Sequence, residues 1–187
     1  MRKKISIIGA GMTGSTTAHW LAERELADIV LVDIIEGMPQ GKALDLQEAM
    51  PVIGKDVNIV GSNDFGATAN SDIVVMTAGL PRKRGMSRDD LRAANADIVR
   101  SATQAVVKGS PNAIFVVLSN PLDVMAYLVM RAGGIPANRV VGQAGILDSA
   151  RMRAFVGMEL GVSVQNIQCY PCWHFTWRVS RLACRSL

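Results

Sequence analysis

The chain has 187 residues, 49% of them apolar and 19% charged, with a formal net charge of +4. No apolar run reaches the roughly 18 residues that a membrane helix needs, which argues against a membrane role. The basic residues form no stripe interleaved with aromatics, which argues against nucleic acid as the partner of the positive charge.

The N-terminus, Met1-Arg2-Lys3-Lys4, runs directly into the first apolar segment with no separate apolar stretch and cleavage site. That pattern reads as cytoplasmic protein rather than a signal peptide. The segment 4–8 is a buried-strand pattern that feeds straight into Gly9-Ala10-Gly11-Met12-Thr13-Gly14, and a helical pattern follows over 13–25. A second strand pattern over 29–33 ends on Asp33. A lone G-x-G-x-x-G says little, but strand, glycine turn, helix, strand and terminal acid within one βαβ length point to a dinucleotide site. Gly9 allows the tight turn, Gly11 removes a Cβ from the path of a pyrophosphate, and Gly14 lets helix and strand approach. The helix N-terminus offers free N–H groups and a positive dipole end to phosphates. Asp33 accepts hydrogen bonds from ribose hydroxyls and repels a 2′-phosphate, so the expected cofactor is NAD rather than NADP.

Further strands are expected at 57–61, 72–78, 113–119 and 139–142, alternating with helices near 39–50, 89–108, 122–132 and 147–160. Continuous apolar strands alternating with helices predict an α/β fold, a Rossmann-type doubly wound parallel sheet. Gly133-Gly134 is a stop signal for the fourth helix.

Three later segments carry chemistry. Residues 79–88, Gly-Leu-Pro-Arg-Lys-Arg-Gly-Met-Ser-Arg, follow a strand, and ligands in open α/β sheets sit beyond strand carboxyl ends. Arg82 and Arg88 can each grip a carboxylate with two hydrogen bonds, although a solvated basic loop explains the composition equally well. Ser119-Asn120-Pro121-Leu122-Asp123 stands at the end of the fifth strand, and Asn120 offers an amide donor and acceptor there. Asn-Pro is also an ordinary turn pair. In Gly142-Gln143-Ala144-Gly145-Ile146-Leu147-Asp148-Ser149-Ala150-Arg151, Asp148 and Arg151 stand three apart at a helix start and share a face. By itself Asp148 is accounted for by a favourable place near a helix N-terminus.

Taken in order, GAGMTG, VD, GLPRKRGMSR, SNPLD and GQAGILDSAR resemble the malate and lactate dehydrogenases, and most closely the malate dehydrogenases of lactate-dehydrogenase type. The resemblance covers about residues 1–168. It implies that Gly9, Ala10, Gly11, Met12, Thr13, Gly14, Asp33, Asn95, Leu118, Ser119 and Asn120 bind NAD. It implies that Arg82, Arg88, Asn120 and Arg151 bind substrate, and that Asp148 partners the family's catalytic histidine. The implied reaction is reversible hydride transfer from (S)-malate to give oxaloacetate, a step of the tricarboxylic acid cycle, in an enzyme that is a homo-oligomer at full length. Arg82 favours malate, because oxaloacetate carries a second carboxylate that pyruvate lacks, and the lactate enzymes typically have glutamine there. An arginine buried against pyruvate's methyl group would go unpaired. Arg84 departs from the family, many members of which have proline at that position.

A second departure is larger. The family's catalytic histidine lies in a G-G-H-G-D turn, and no such motif occurs in this chain. Instead Pro171-Cys172-Trp173-His174-Phe175 follows, and the last 19 residues hold all three cysteines, two of three tryptophans, three arginines and no acid. His174 falls close to where the family histidine belongs, but it lacks flanking glycines and stands between two bulky aromatics, so it reads as incidental. Cys169, Cys172, Cys184 and His174 do not have the spacing of a familiar zinc site, and no metal is expected. The tail reads as out of frame and the chain as truncated.

The sequence thus predicts a Rossmann NAD-binding domain over 1–145, the start of a C-terminal substrate domain over 146–170, and an atypical tail over 171–187. The expected function is NAD-dependent malate dehydrogenase, impaired or inactive in this chain. A non-catalytic NAD-binding or interaction module is the first alternative and lactate dehydrogenase the second.

Overall fold

A computed structural model describes residues 2–80, 85, 87–169 and 185–186. The chain divides into two compact units, 1–142 and 143–187.

The first unit is built on six parallel strands: β1 (Lys4–Ile8), β2 (Asp28–Val32), β3 (Ile59–Ser62), β4 (Ile73–Met76), β5 (Ile114–Val117) and β6 (Val140–Gly142). They lie in the order β3-β2-β1-β4-β5-β6. The helices α1 (Met12–Glu23), α2 (Met38–Ala49), α3 (Arg88–Gly109) and α4 (Leu122–Gly133) connect them. The Rossmann-type doubly wound sheet expected from the alternating pattern is the fold observed.

Strand alternation sends successive side chains to opposite faces, and both faces are apolar because both are covered. Ile5, Ile7, Ile29 and Leu31 pack with Ala18 and Ala22 of α1 and Ala43 of α2. Ile8, Val74, Met76, Phe115 and Val117 pack with Val99 and Val106 of α3 and Met125 and Val129 of α4. Alanines on α1 and α2 keep those helices close to the sheet. Gly61 does the same from β3, where a Cβ would run into the backbone of Pro39.

At the amino ends of the strands, Lys3 Nζ contacts Asp72 Oδ1 at 2.7 Å, and the Lys4 backbone N–H donates to Asp72 Oδ2. The two donors hold the Asp72 carboxyl below the usual carboxylate range, the Lys3 hydrogen bond contributing most. Lys4 Nζ donates to the carbonyls of Ala67 and Ala69, ending the short helical turn 65–68.

Two strands end earlier than the sequence reading has them, β4 at Met76 and β5 at Val117, with side-chain bonds just beyond each end. Thr77 Oγ1 donates to the carbonyls of Ile8 and Gly9. The Ser119 hydroxyl donates to the Ala78 carbonyl at 2.6 Å. α4 ends as expected, with Gly134 in the left-handed region at φ 60°.

The second unit holds α5 (Gly145–Leu160), a short helical turn over 164–166, and the antiparallel pair β7 (Ile167–Gln168) and β8 (Arg185–Ser186). Arg153 Nη2 donates to the Val164 carbonyl at 2.7 Å, fastening α5 to that turn.

Candidate functional site

From β3 at one edge the chain returns past β2 and β1 to form β4 on the other side of β1, so consecutive crossovers leave β1 and β4 in opposite directions. A crevice must open beyond the carboxyl ends of these two strands, and ligands of open α/β sheets bind there. The structure has a cleft of about 1490 Å³ at that place. It exceeds the roughly 300–1,000 Å³ of pockets for drug-sized ligands, as an extended ligand requires. Gly9, Gly11, Met12, Thr13, Gly14, Asp33, Asn95, Leu118, Ser119 and Asn120 all line it.

The glycine turn explains its own composition. Gly9 has φ 103°, which side chains rarely tolerate, and a Cβ there would lie 2.7 Å from Thr77 Oγ1. A Cβ on Gly14 would collide with the Gly9 carbonyl, so this glycine seats α1 against the turn itself. Gly11 is different: a Cβ there meets nothing within 4 Å. The protein does not require glycine at 11, which leaves the open cleft, and what fills it, as the reason for a missing side chain. Helix α1 begins right after Gly11 with no side-chain cap, so its first N–H groups point their partial positive charge at the cleft.

Asp33 sits across from that turn. Its Oδ2 accepts the Ala10 N–H at 2.7 Å and its Oδ1 accepts the Ile35 N–H at 3.0 Å. Ala10 is fully buried, so its role in the site is this backbone contact. A carboxylate has about four acceptor positions, so two remain for vicinal hydroxyls. Donor-rich helix end, open glycine and acceptor-rich acid together fit the pyrophosphate and ribose of a dinucleotide.

Asn95 of α3 is 4% exposed. Its Oδ1 accepts the Leu80 N–H at 2.7 Å, and its Nδ2 donates to the Asn120 carbonyl at 3.1 Å. The side chain therefore joins the loop after β4 to the end of β5, where the Asn120–Pro121 peptide is cis. Arg82 lies outside the described residues. Arg88 opens α3 just after Ser87, whose hydroxyl accepts the Asp90 N–H while the Asp90 carboxylate accepts from the Ser87 backbone N–H, a capping box.

In the second unit, Asp148 and Arg151 share one face of α5, with Asp148 Oδ1 and Arg151 Nη1 3.5 Å apart and both side chains exposed. His174, Cys172 and Cys184 lie outside the described residues, whereas Cys169 is a free thiol. Among the described residues no group of three or more His, Cys, Asp and Glu is placed to hold a metal. No helix among them is long and apolar enough to cross a membrane.

Sequence reasoning missed Thr77, Asn63 and Phe65. Thr77 and Phe65 line the cleft, and Asn63 fastens the backbone of Asp33 and Ile35. Thr77 was legible as a strand end, but only the adjacency of β4 and β1 puts it beneath Gly9. Nothing local marks Asn63.

Residues 3–142 match the family model of the lactate/malate dehydrogenase NAD binding domain. The chain is 61% identical over 168 residues to the malate dehydrogenase of Roseiflexus sp. (strain RS-1), covering 90% of this chain and 54% of that protein. Among solved structures, malate dehydrogenase of Cryptosporidium parvum matches at 50% identity with a TM-score of 0.86, over 90% of this chain and 54% of that one. The lactate dehydrogenase of the same organism, complexed with lactic acid and NAD, matches at 40% identity with a TM-score of 0.84, over 90% and 53%. The chain thus spans about half the length of the relatives it matches. The cleft geometry and the family match over its whole sheet agree, and the chain belongs to the lactate/malate dehydrogenase family, of which residues 3–142 form the NAD-binding domain.

Proposed function

We propose that the chain is the cofactor-binding half of a malate dehydrogenase, a cytoplasmic homo-oligomer at full length that interconverts (S)-malate and oxaloacetate. The observation that carries the cofactor side is Asp33, locked onto the Ala10 N–H of the glycine turn with acceptor positions left for ribose hydroxyls. Malate rather than lactate is supported by Arg82, a cation able to pair with the second carboxylate of oxaloacetate, and by the 61% identity to a malate dehydrogenase.

When bound, NAD supplies the ring carbon that accepts the hydride. This chain's residues bind and orient. The N-terminal N–H groups of α1 hold the pyrophosphate, and Asp33 holds the adenosine ribose. Asn95, Leu118, Ser119 and Asn120 form the wall beside the nicotinamide half. Arg82 takes the C4 carboxylate and Arg151 the C1 carboxylate, while Asn120 and Arg88 stabilise the substrate oxygen. Asp148 orients the family's acid–base histidine.

The chain contains no G-G-H-G-D motif, and His174 has Trp173 and Phe175 as neighbours in place of glycines. Loss of a general acid–base group lowers rates by about 10²–10⁴. We therefore expect the purified chain to bind NADH, seen as enhanced nicotinamide fluorescence, and to oxidise it with oxaloacetate slowly or not at all. Failure to bind NADH would overturn the cofactor assignment. Turnover lost in His174→Ala would restore that histidine to catalysis, and a preference for pyruvate over oxaloacetate would move the substrate to lactate.

A further inference from the structure

We infer that Asn63 is a positioning residue for the cofactor: it fixes the backbone that carries Asp33, and through it the adenosine-ribose site. This rests on the reading of Asp33 as the ribose acceptor.

Asn63 follows directly on β3, at the carboxyl edge of the sheet. Its Nδ2 donates to the Asp33 carbonyl at 2.7 Å and to the Ile35 carbonyl at 2.9 Å. Both amide hydrogens are thus used on the two carbonyls that flank Ile34, in the turn between β2 and α2. Its Oδ1 accepts from Gln40 Nε2 of α2, which fixes the amide the same way round from the other side. Other bonds in the turn run from the Ile35 N–H to the Asp33 carboxylate and from the Met38 N–H to the Ile35 carbonyl, while Ile34 is 82% exposed and Gly37 leaves the turn at φ 75°.

Asn63 is itself held firmly. The Ser62 hydroxyl accepts the Asp64 N–H at 2.9 Å, and Asp64 Oδ1 accepts the Gly66 N–H at 2.9 Å, so the backbone on its far side is pinned. Gly61 brings α2 against β3, within reach of the Gln40 amide. The consequence is directional. Asp33 also bonds Ile35 N–H and Ala10 N–H through its carboxylate, so a turn clamped by Asn63 holds those two oxygens in register with the glycine turn before any ligand arrives. Preorganised acceptors spare the ordering cost that binding would otherwise bear.

The test is a double-mutant cycle on the full 187-residue chain, reading NADH affinity by fluorescence titration and folding by thermal melting. Asp33→Ala is expected to weaken NADH binding about hundredfold and Asn63→Ala about tenfold, each tenfold being about 1.4 kcal/mol. In the Asp33→Ala background, Asn63→Ala should cost less than threefold, because the group it positions is gone. Asn63→Asp, which keeps the shape but loses both donors, should behave like Asn63→Ala. Equal losses in both backgrounds would make Asn63 a general support of the fold and overturn the inference. So would wild-type affinity in Asn63→Asp. An Asp33→Ala chain that binds NADH normally would instead overturn the ribose assignment, and this inference with it. If the Asn63 variants do not fold, exposed Gln40→Ala decides: a two- to fourfold loss confined to the Asp33 background supports the clamp, and no loss refutes it.

Discussion

Asn95 offers the sharpest test of how the cleft is built. Its buried amide ties two loops together, Leu80 on one side and Asn120 on the other, beside a second link in which the Ser119 hydroxyl donates to the Ala78 carbonyl. Asn95→Ala deletes both bonds. A hydrogen bond of this kind contributes about 0.5–1.5 kcal/mol, and a buried partner left unsatisfied costs about 1–3 kcal/mol. The Asn120 carbonyl and the Leu80 N–H both border the cleft, where water can reach them in part, so the lower figures apply. The expected loss is about 2–3 kcal/mol. With a urea slope of about 2 kcal/mol/M, the unfolding midpoint of the first unit should fall by about 1–1.5 M. Circular dichroism across a urea series measures it, and NADH affinity should fall alongside. A midpoint shift below about 0.3 M would show that the two loops are held by something other than Asn95, and the account of the cleft wall would be wrong.

Two glycines separate folding from binding. Gly14→Ala places a Cβ on the Gly9 carbonyl and should destabilise the chain by about 1–3 kcal/mol, seen in the same urea series. Gly11→Ala meets empty space, so stability should change by less than about 0.5 kcal/mol while NADH affinity drops at least about tenfold. Unchanged affinity in Gly11→Ala would mean that no ligand packs against that turn. Acid should also weaken the fold in a defined direction. Asp72 has its carboxyl depressed by Lys3 and the Lys4 N–H, so the stability it contributes is present above the ordinary aspartate pKa of about 3.9 and is lost as pH falls through the lower folded value. Glu25, depressed first by its hydrogen bond to Lys55, adds to the same acid-side loss. Asp72→Asn should flatten the fall of stability on the acid side of the ordinary aspartate pKa in titrations monitored by circular dichroism. An unchanged acid transition would show that Asp72 forms no such contact in solution.

Much of this protein was legible in one dimension. The alternation of apolar strands and helices gave the doubly wound class because a strand buried on both faces must be apolar throughout. Gly9, Gly14 and Asp33 were legible because each answers a local demand: a positive φ, a close approach, a charge at a strand end. Gly134 likewise marked the end of α4 by its left-handed conformation. Asn95 was picked out only through family resemblance, and its partners Leu80 and Asn120 could not be read from spacing, since they lie 15 and 25 residues away.

The sequence by itself determined the elements, the core faces and the chemistry of the glycine turn, because hydrophobic periodicity and backbone sterics act over a few residues. Only the tertiary structure decided which strand ends meet. The order β3-β2-β1-β4 puts Thr77 under Gly9 and brings Asn63 to Asp33 across 30 residues of chain. Sheet order is set by the packing of whole helices on both faces, and no local pattern encodes it.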